Sequence, residues 1–201
     1  MAEMMKGNEA IAEAAIRAGA RFYAGYPITP SSEIMEYLSW RMNEVGGAFV
    51  QAESELAGIN MVIGASSCGV RALTASSGPG ISLKQEGIST LCDEGLPAVV
   101  ITQVRYGNGL GTLFTSQCDY HRETRGGGQG DYRCIVLCPS SIQEFVDLML
   151  PAYELAEKYR IVTIMMGEGT LGQMMEPVEL PDFVEPKRTP WALNGHYTYK
   201  K

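Results

Sequence analysis

Short apolar runs that alternate with segments of helical periodicity restrict this chain more than any other feature. Runs at 21–25, 48–51, 70–75, 97–103, 134–138 and 161–166 have the length of strands. Between them, apolar residues recur at spacings of three and four. Strands separated by helices pair in parallel through crossovers. The expected fold is therefore α/β, an open and mostly parallel sheet with helices on both faces. The run at 97–103 suits a strand in the middle of such a sheet. Asn8 is placed to cap a first helix carrying Ile11, Ala14, Ala15 and Ala18, which Gly19 stops. A second helix carries Ile34, Tyr37 and Leu38, 54–67 reads as a buried helix of small residues, and 81–91 as another. Ser141 and Glu144 have capping-box spacing ahead of a helix with Ile142, Phe145, Val146 and Met149, and Pro151 kinks it.

The segment 106–133 is glycine-rich and aperiodic, a composition typical of functional or mobile loops. Prolines at 177, 181, 186 and 190 make 177–201 a tail or linker, which leaves 1–176 as the folded domain. With 45% hydrophobic residues among 201, a real core is expected, and the net charge of -7 argues against nucleic acid or an anionic membrane as partner. No stretch has the length of a membrane span and no signal-peptide core follows Met1, so the expected location is the cytoplasm. Cys68, Cys92, Cys118, Cys134 and Cys138 form no CxxC pair or cluster; they are expected to be buried, reduced thiols, not zinc or iron–sulfur ligands.

In a parallel sheet, ligands bind beyond the carboxyl ends of the strands. That rule singles out four loops. Gly25-Tyr26-Pro27-Ile28-Thr29-Pro30 holds a threonine hydroxyl between two rigid prolines; it also reads as a plain strand-to-helix turn. Gln51-Ala52-Glu53-Ser54-Glu55 offers two acids that face different ways, so at most one enters a site, and either also suits an ordinary helix start. Ser76-Ser77-Gly78-Pro79-Gly80 lets backbone amides approach a ligand, or simply turns the chain. Arg105 ends the most apolar strand, where its charge needs a partner: a protein carboxylate, or a substrate carboxylate gripped in bidentate fashion.

Taken together, GYPITPSSEI (25–34), QAESELAGINMVIGAS (51–66), SSGPGISLKQEGIS (76–89), GLGTLFTSQCDY (109–120), GGGQGDYRCIVLCPSSIQE (126–144) and LGQMMEPVE (171–179) resemble the alpha subunits of 2-oxoacid:ferredoxin oxidoreductases. The likeness covers almost the whole chain and is greatest to the branched-chain, 2-oxoisovalerate subgroup. It implies a domain that binds the aminopyrimidine of thiamine diphosphate through Tyr26, Pro27, Ile28, Thr29, Glu53, Ser77 and Gly78. Glu53 matches the glutamate that hydrogen-bonds pyrimidine N1′, Thr29 the threonine facing the substrate, and Arg105 the arginine near the substrate carboxylate. The cofactor acts as electron sink for decarboxylation. The resemblance further implies a beta subunit holding the diphosphate and its magnesium, gamma and ferredoxin-like delta subunits, [4Fe-4S] clusters in those partners, ferredoxin as acceptor and coenzyme A as co-substrate. No metal ligand is assigned to this chain. Gly167-Glu168-Gly169 with Asn194 imitates a diphosphate/magnesium motif, but Glu stands in place of Asp and the interval is proline-rich. His121 and His196 lack ligand spacing.

Tyr106 and Asn108 stand where the family shows Gly and Pro after the arginine, and Val104 replaces a common polar residue. Family members continue into a further domain beyond Trp191–Gly195. The leading expectation is one subunit of an enzyme, inactive alone, for oxidative decarboxylation of a branched-chain 2-oxoacid. The alternatives are 2-oxoglutarate or another oxoacid, a thiamine enzyme with a non-oxidative outcome, or a non-catalytic assembly module of the same fold.

Overall fold

The computed structural model describes residues 2–107, 112–186 and 188–193. Asn108, the Gly109–Gly111 motif, Asn194 and His196 lie outside them. Six strands form one parallel sheet in the order β3-β2-β4-β5-β7-β6: β2 (Phe22–Gly25), β3 (Ala48–Gln51), β4 (Ala72–Ser76), β5 (Ala98–Val104), β6 (Ile135–Leu137) and β7 (Val162–Glu168). β5 is buried along its whole length and pairs with β4 and β7, so its unbroken apolar run has a neighbour on every side.

Two apolar layers close the sheet. On one face α1 (Gly7–Arg17), α2 (Ser32–Glu44) and α6 (Ile142–Tyr159) pack Ile11, Leu38, Phe145 and Met149 against Leu73, Val99 and Ile101. On the other, α3 (Glu55–Ser67) and α4 (Gly78–Asp93) pack Ile59, Val62, Ile81 and Ile88 against Val100 and Ile164. Alternate residues of β5 serve the two layers, as a strand's period of two requires.

Ser141 caps α6, its hydroxyl accepting from the Glu144 amide at 3.1 Å. The Glu144 carboxylate takes the Ser140 amide at 2.7 Å, one residue short of a full capping box.

The structure departs from the sequence expectations in several places. Asn8 does not cap α1; Lys6 stands at the cap, and Asn8 lies within the helix, fully enclosed. The chain enters α1 directly from a strand, β1 (Glu3–Lys6), so the cap falls two residues early. β1 pairs antiparallel with β8 (Met175–Val178), which crosses the expected boundary at 176. Beyond it, Arg17 donates to the Pro181 oxygen at 2.8 Å and Val184 to the Arg17 oxygen at 2.7 Å. α4 starts at Gly78 instead of Ile81, because Pro79 is compatible with a first helical turn. Tyr120–Arg125 forms a short helix, α5, inside the aperiodic segment. The cysteines are not buried: Cys68, Cys118 and Cys138 are exposed and Cys92 and Cys134 half-buried, all as free thiols. Cys134 and Cys138 flank β6, an edge strand whose residues are only partly covered. Among the described residues no helix is long and apolar enough to cross a membrane.

Candidate functional site

The four loops meet beyond the carboxyl ends of β2, β3, β4 and β5. The Thr29 carbonyl accepts from Arg105 Nη1 at 2.7 Å, which joins the first loop to the fourth. The next carbonyl, that of Pro30, accepts from Asn8 Nδ2 at 2.7 Å and Gln173 Nε2 at 3.2 Å. The same two amides donate to Glu33 Oε2 at 2.9 and 3.0 Å. Consecutive carbonyls of the Thr29–Pro30 turn are thus each held by side chains of other segments, and Thr29 stays exposed. Gly169, opening the short helix α7 (Gly169–Gln173), packs so closely that a Cβ there would lie 2.5 Å from Pro30 Cγ.

Arg105 follows the end of β5 and is 6% exposed. Its guanidinium crosses Gly78, where an added Cβ would meet Arg105 Nε at 2.7 Å and where φ is +46°. Glycine is required there on both counts. Ser77 and Ser76 are fully enclosed, and their hydroxyls have no hydrogen-bond partner among the described residues.

Ser54 caps α3, accepting from the Ala57 amide at 3.2 Å, and this sets the acids on either side of it apart. Glu53 is exposed. Glu55 is 7% exposed and lies against α4: a Cβ on Gly80 would come 2.7 Å from Glu55 Oε1 and would also collide with Ser76 Oγ. Lys84 is enclosed beside it, its Nζ 3.3 Å from the Glu55 carbonyl oxygen. Burial pushes the Lys84 pKa down to about 8, with the Glu55 carboxylate opposing.

α5 supports this arrangement from outside. Arg122 donates to the Gly78 carbonyl at 3.1 Å and to Ser82 Oγ at 3.2 Å. Its other nitrogen meets Asp119 Oδ1 at 3.1 Å and Glu123 Oε1 at 2.9 Å. Burial raises the Glu123 pKa above the usual carboxylate range, and Arg122 partly restores it. Next to Arg105, a cavity of about 420 Å³ opens beyond β5 and β7, with Val104, Met166, Tyr120 and Glu168 in its walls.

Of the residues expected from sequence, Thr29, Ser77, Gly78 and Arg105 are brought together. Tyr26 is 40% exposed on the rim, with Pro27 and Ile28 half-buried behind it. Glu53 follows β3 at the same sheet edge and is exposed. Sequence reading missed Lys84, Asn8, Gln173 and Arg122 as site residues and held Glu55 only as one of two acids of which at most one enters the site. Two of these left a signal: Lys84 shares a stripe with Ile81 and Ile88, and Asn8 one with Ile11 and Ala15, where a polar residue on an apolar face needs a buried partner.

This geometry defines a ligand-binding domain of the open α/β class, with its site at the carboxyl edge of a parallel sheet. The family described as pyruvate flavodoxin/ferredoxin oxidoreductase, thiamine diphosphate-binding, matches residues 13–197. The chain is 51% identical over 195 residues to ketoisovalerate oxidoreductase subunit VorB of Methanothermobacter marburgensis, covering 96% of this chain and 55% of that one. It is 46% identical over 184 residues to 2-oxoglutarate synthase subunit KorA of Methanocaldococcus jannaschii, covering 91% of this chain and 50% of that one. A solved 2-oxoglutarate:ferredoxin oxidoreductase from Magnetococcus marinus, with 2-oxoglutarate, coenzyme A and succinyl-CoA bound, superposes with a TM-score of 0.88 at 32% identity. That match covers 98% of this chain and 35% of the other. The chain belongs to the thiamine-diphosphate-binding pyruvate flavodoxin/ferredoxin oxidoreductase family. It spans about half the length of the curated relatives it matches.

Proposed function

We propose that this chain supplies the aminopyrimidine side of a thiamine diphosphate site in a 2-oxoacid:ferredoxin oxidoreductase of the cytoplasm. The assembled enzyme converts a branched-chain 2-oxoacid, coenzyme A and oxidised ferredoxin into acyl-CoA, carbon dioxide and reduced ferredoxin. A beta subunit holds the diphosphate and its magnesium, and gamma and ferredoxin-like delta subunits complete the assembly and carry the [4Fe-4S] clusters. The observation that carries this reading is the convergence of Thr29, Arg105, Gly78 and Glu55 at one sheet edge.

The residues fit the cofactor's ring. The enclosed Ser76 and Ser77 hydroxyls have unused hydrogen-bonding capacity, and Gly78 and Gly80 leave space that any Cβ would fill. When bound, thiamine diphosphate supplies the electron sink for decarboxylation. This chain's part is to bind and orient. A carboxyl group at the ring's N1′ holds a proton there; of the two acids, Glu55 suits this role better than Glu53, because it is enclosed among the site's own loops. Thr29 presents its hydroxyl to the substrate from a turn fixed at two carbonyls. Arg105, poised by its bond to the Thr29 oxygen, takes the substrate carboxylate.

The test replaces each acid by glutamine in the assembled enzyme, with cofactor affinity measured by calorimetry beside ferredoxin reduction. Glu55→Gln should lower turnover by at least about 100-fold, with Glu53→Gln near normal. The reverse pattern assigns the role to Glu53, and normal turnover in both removes it from this segment. A second substrate reading, 2-oxoglutarate, is favoured by the likeness to KorA and to the Magnetococcus enzyme. Comparing kcat/KM for 2-oxoisovalerate and 2-oxoglutarate separates the two.

A further inference from the structure

Cys92 lies in the last turn of α4 and Cys134 immediately before β6, far apart in sequence. Their sulfurs are 3.8 Å apart in a thiol–thiol contact. Both side chains are half-buried, so a small reagent has a path to them. The other three cysteines are exposed, and among the described residues none of them has a sulfur neighbour. A disulfide needs an S–S distance of about 2.05 Å, which a side-chain displacement of about 1.8 Å supplies.

We propose that Cys92 and Cys134 are a dithiol modification site, oxidised to an intramolecular disulfide by a low-molecular-weight disulfide such as oxidised glutathione. The step balances without another reactant. The Cys92 thiolate attacks one sulfur of the small disulfide, forming a mixed disulfide and releasing one thiolate. Cys134 loses its proton to water and attacks the Cys92 sulfur, forming the internal bond and releasing the second thiolate. Two protein thiols are oxidised and one small disulfide is reduced to two thiols. Cys92 is the entry point: the contact with Cys134 lowers its pKa, while the same contact and burial raise that of Cys134.

The bond would join the far end of the helix whose first residue, Gly78, lies under Arg105. Its covalent loop encloses the whole segment 93–133. That segment already leans on the same helix: Gln85 Oε1 accepts from the Gly127 amide at 3.0 Å and from the Tyr132 hydroxyl at 3.3 Å, and Arg122 donates to the Gly78 carbonyl and to Ser82 Oγ. Oxidation would add a covalent anchor between α4 and the end of the glycine-rich loop. In a reducing compartment such bonds are transient and responsive rather than structural. This inference is independent of the activity proposed above.

The experiment takes the chain in its native assembly, purified reduced and without oxygen, and exposes it to a graded ratio of oxidised to reduced glutathione. After quenching with N-ethylmaleimide, peptides are mapped by mass spectrometry. The expected product is a Cys92–Cys134 crosslinked peptide lacking two hydrogens, reversed by dithiothreitol. Cys134→Ser should trap glutathione on Cys92, and the trapped adduct should be absent in Cys92→Ser. The proposal fails if both residues of the wild-type protein remain fully alkylated while Cys68, Cys118 or Cys138 take up glutathione. It also fails if Cys134→Ser leaves Cys92 unmodified.

Discussion

Replacing Lys84 with methionine should stabilise this domain, and by an amount that depends on pH. The ammonium is fully enclosed between α3 and α4, where it makes a long hydrogen bond, 3.3 Å, to the Glu55 backbone oxygen. Burial lowers its pKa from the ordinary 10.5 to about 8. At about 1.4 kcal/mol per pH unit, that gap corresponds to about 3 kcal/mol. Between pH 8 and 10.5 the unfolded chain binds the proton and the folded chain does not, so stability rises with pH through that window. Below pH 8 both states carry the charge and the full desolvation penalty applies. Methionine has nearly the same length without the charge, and its repacking cost is about 1 kcal/mol. The variant should therefore exceed wild type by about 2 kcal/mol at pH 7; the difference should fall by about 3 kcal/mol between pH 8 and 10.5, changing sign before the upper limit. Urea unfolding of both proteins from pH 6.5 to 10.5 measures this. Taking the difference cancels titrations common to both, such as those of Tyr23 and Tyr153, whose buried hydroxyls resist ionisation. A difference that stays flat with pH, or a variant less stable at pH 7, would refute the buried-charge argument.

Gly80→Ala places a methyl 2.7 Å from Glu55 Oε1 and against Ser76 Oγ. Overpacking of this kind costs about 1–3 kcal/mol; calorimetry should find thiamine diphosphate affinity in the assembled enzyme reduced at least about tenfold. Arg105→Ala should raise the KM for the 2-oxoacid at least about tenfold, since a charge-assisted hydrogen bond contributes about 1.5–3 kcal/mol; steady-state ferredoxin reduction reads this, and an unchanged KM would exclude the clamp. Ser141→Ala removes the hydroxyl that caps α6 at the Glu144 amide. It should cost about 1 kcal/mol in chemical denaturation and leave kcat untouched.

The sheet and most of its elements were legible in the sequence because their signals are local. The strand 48–51 and the helix through Ile34 and Leu38 follow from periodicity, and the α6 cap from a serine three residues ahead of a glutamate. β1 and β8 were not legible: each is four residues long, they pair across most of the chain, and β8 contains a proline. Cys134 and Cys138 were misjudged because a thiol's exposure depends on whether its strand lies at the centre or the edge of the sheet, and β6 lies at the edge.

By itself the sequence determined the succession of the six parallel strands along the chain, and hence which loops reach the carboxyl edge of the sheet. It also placed glycine at 78 and arginine at 105. Only the tertiary structure decided which of two neighbouring acids turns inward. Glu53 and Glu55 have the same chemistry and nearly the same position in the chain. The direction in which α3 leaves its Ser54 cap leaves one exposed and sets the other against Gly80, and that direction is fixed by packing α3 on α4, through contacts such as Ile59 on Gly87. Proximity of this kind arises between segments distant in sequence, so no local pattern encodes it.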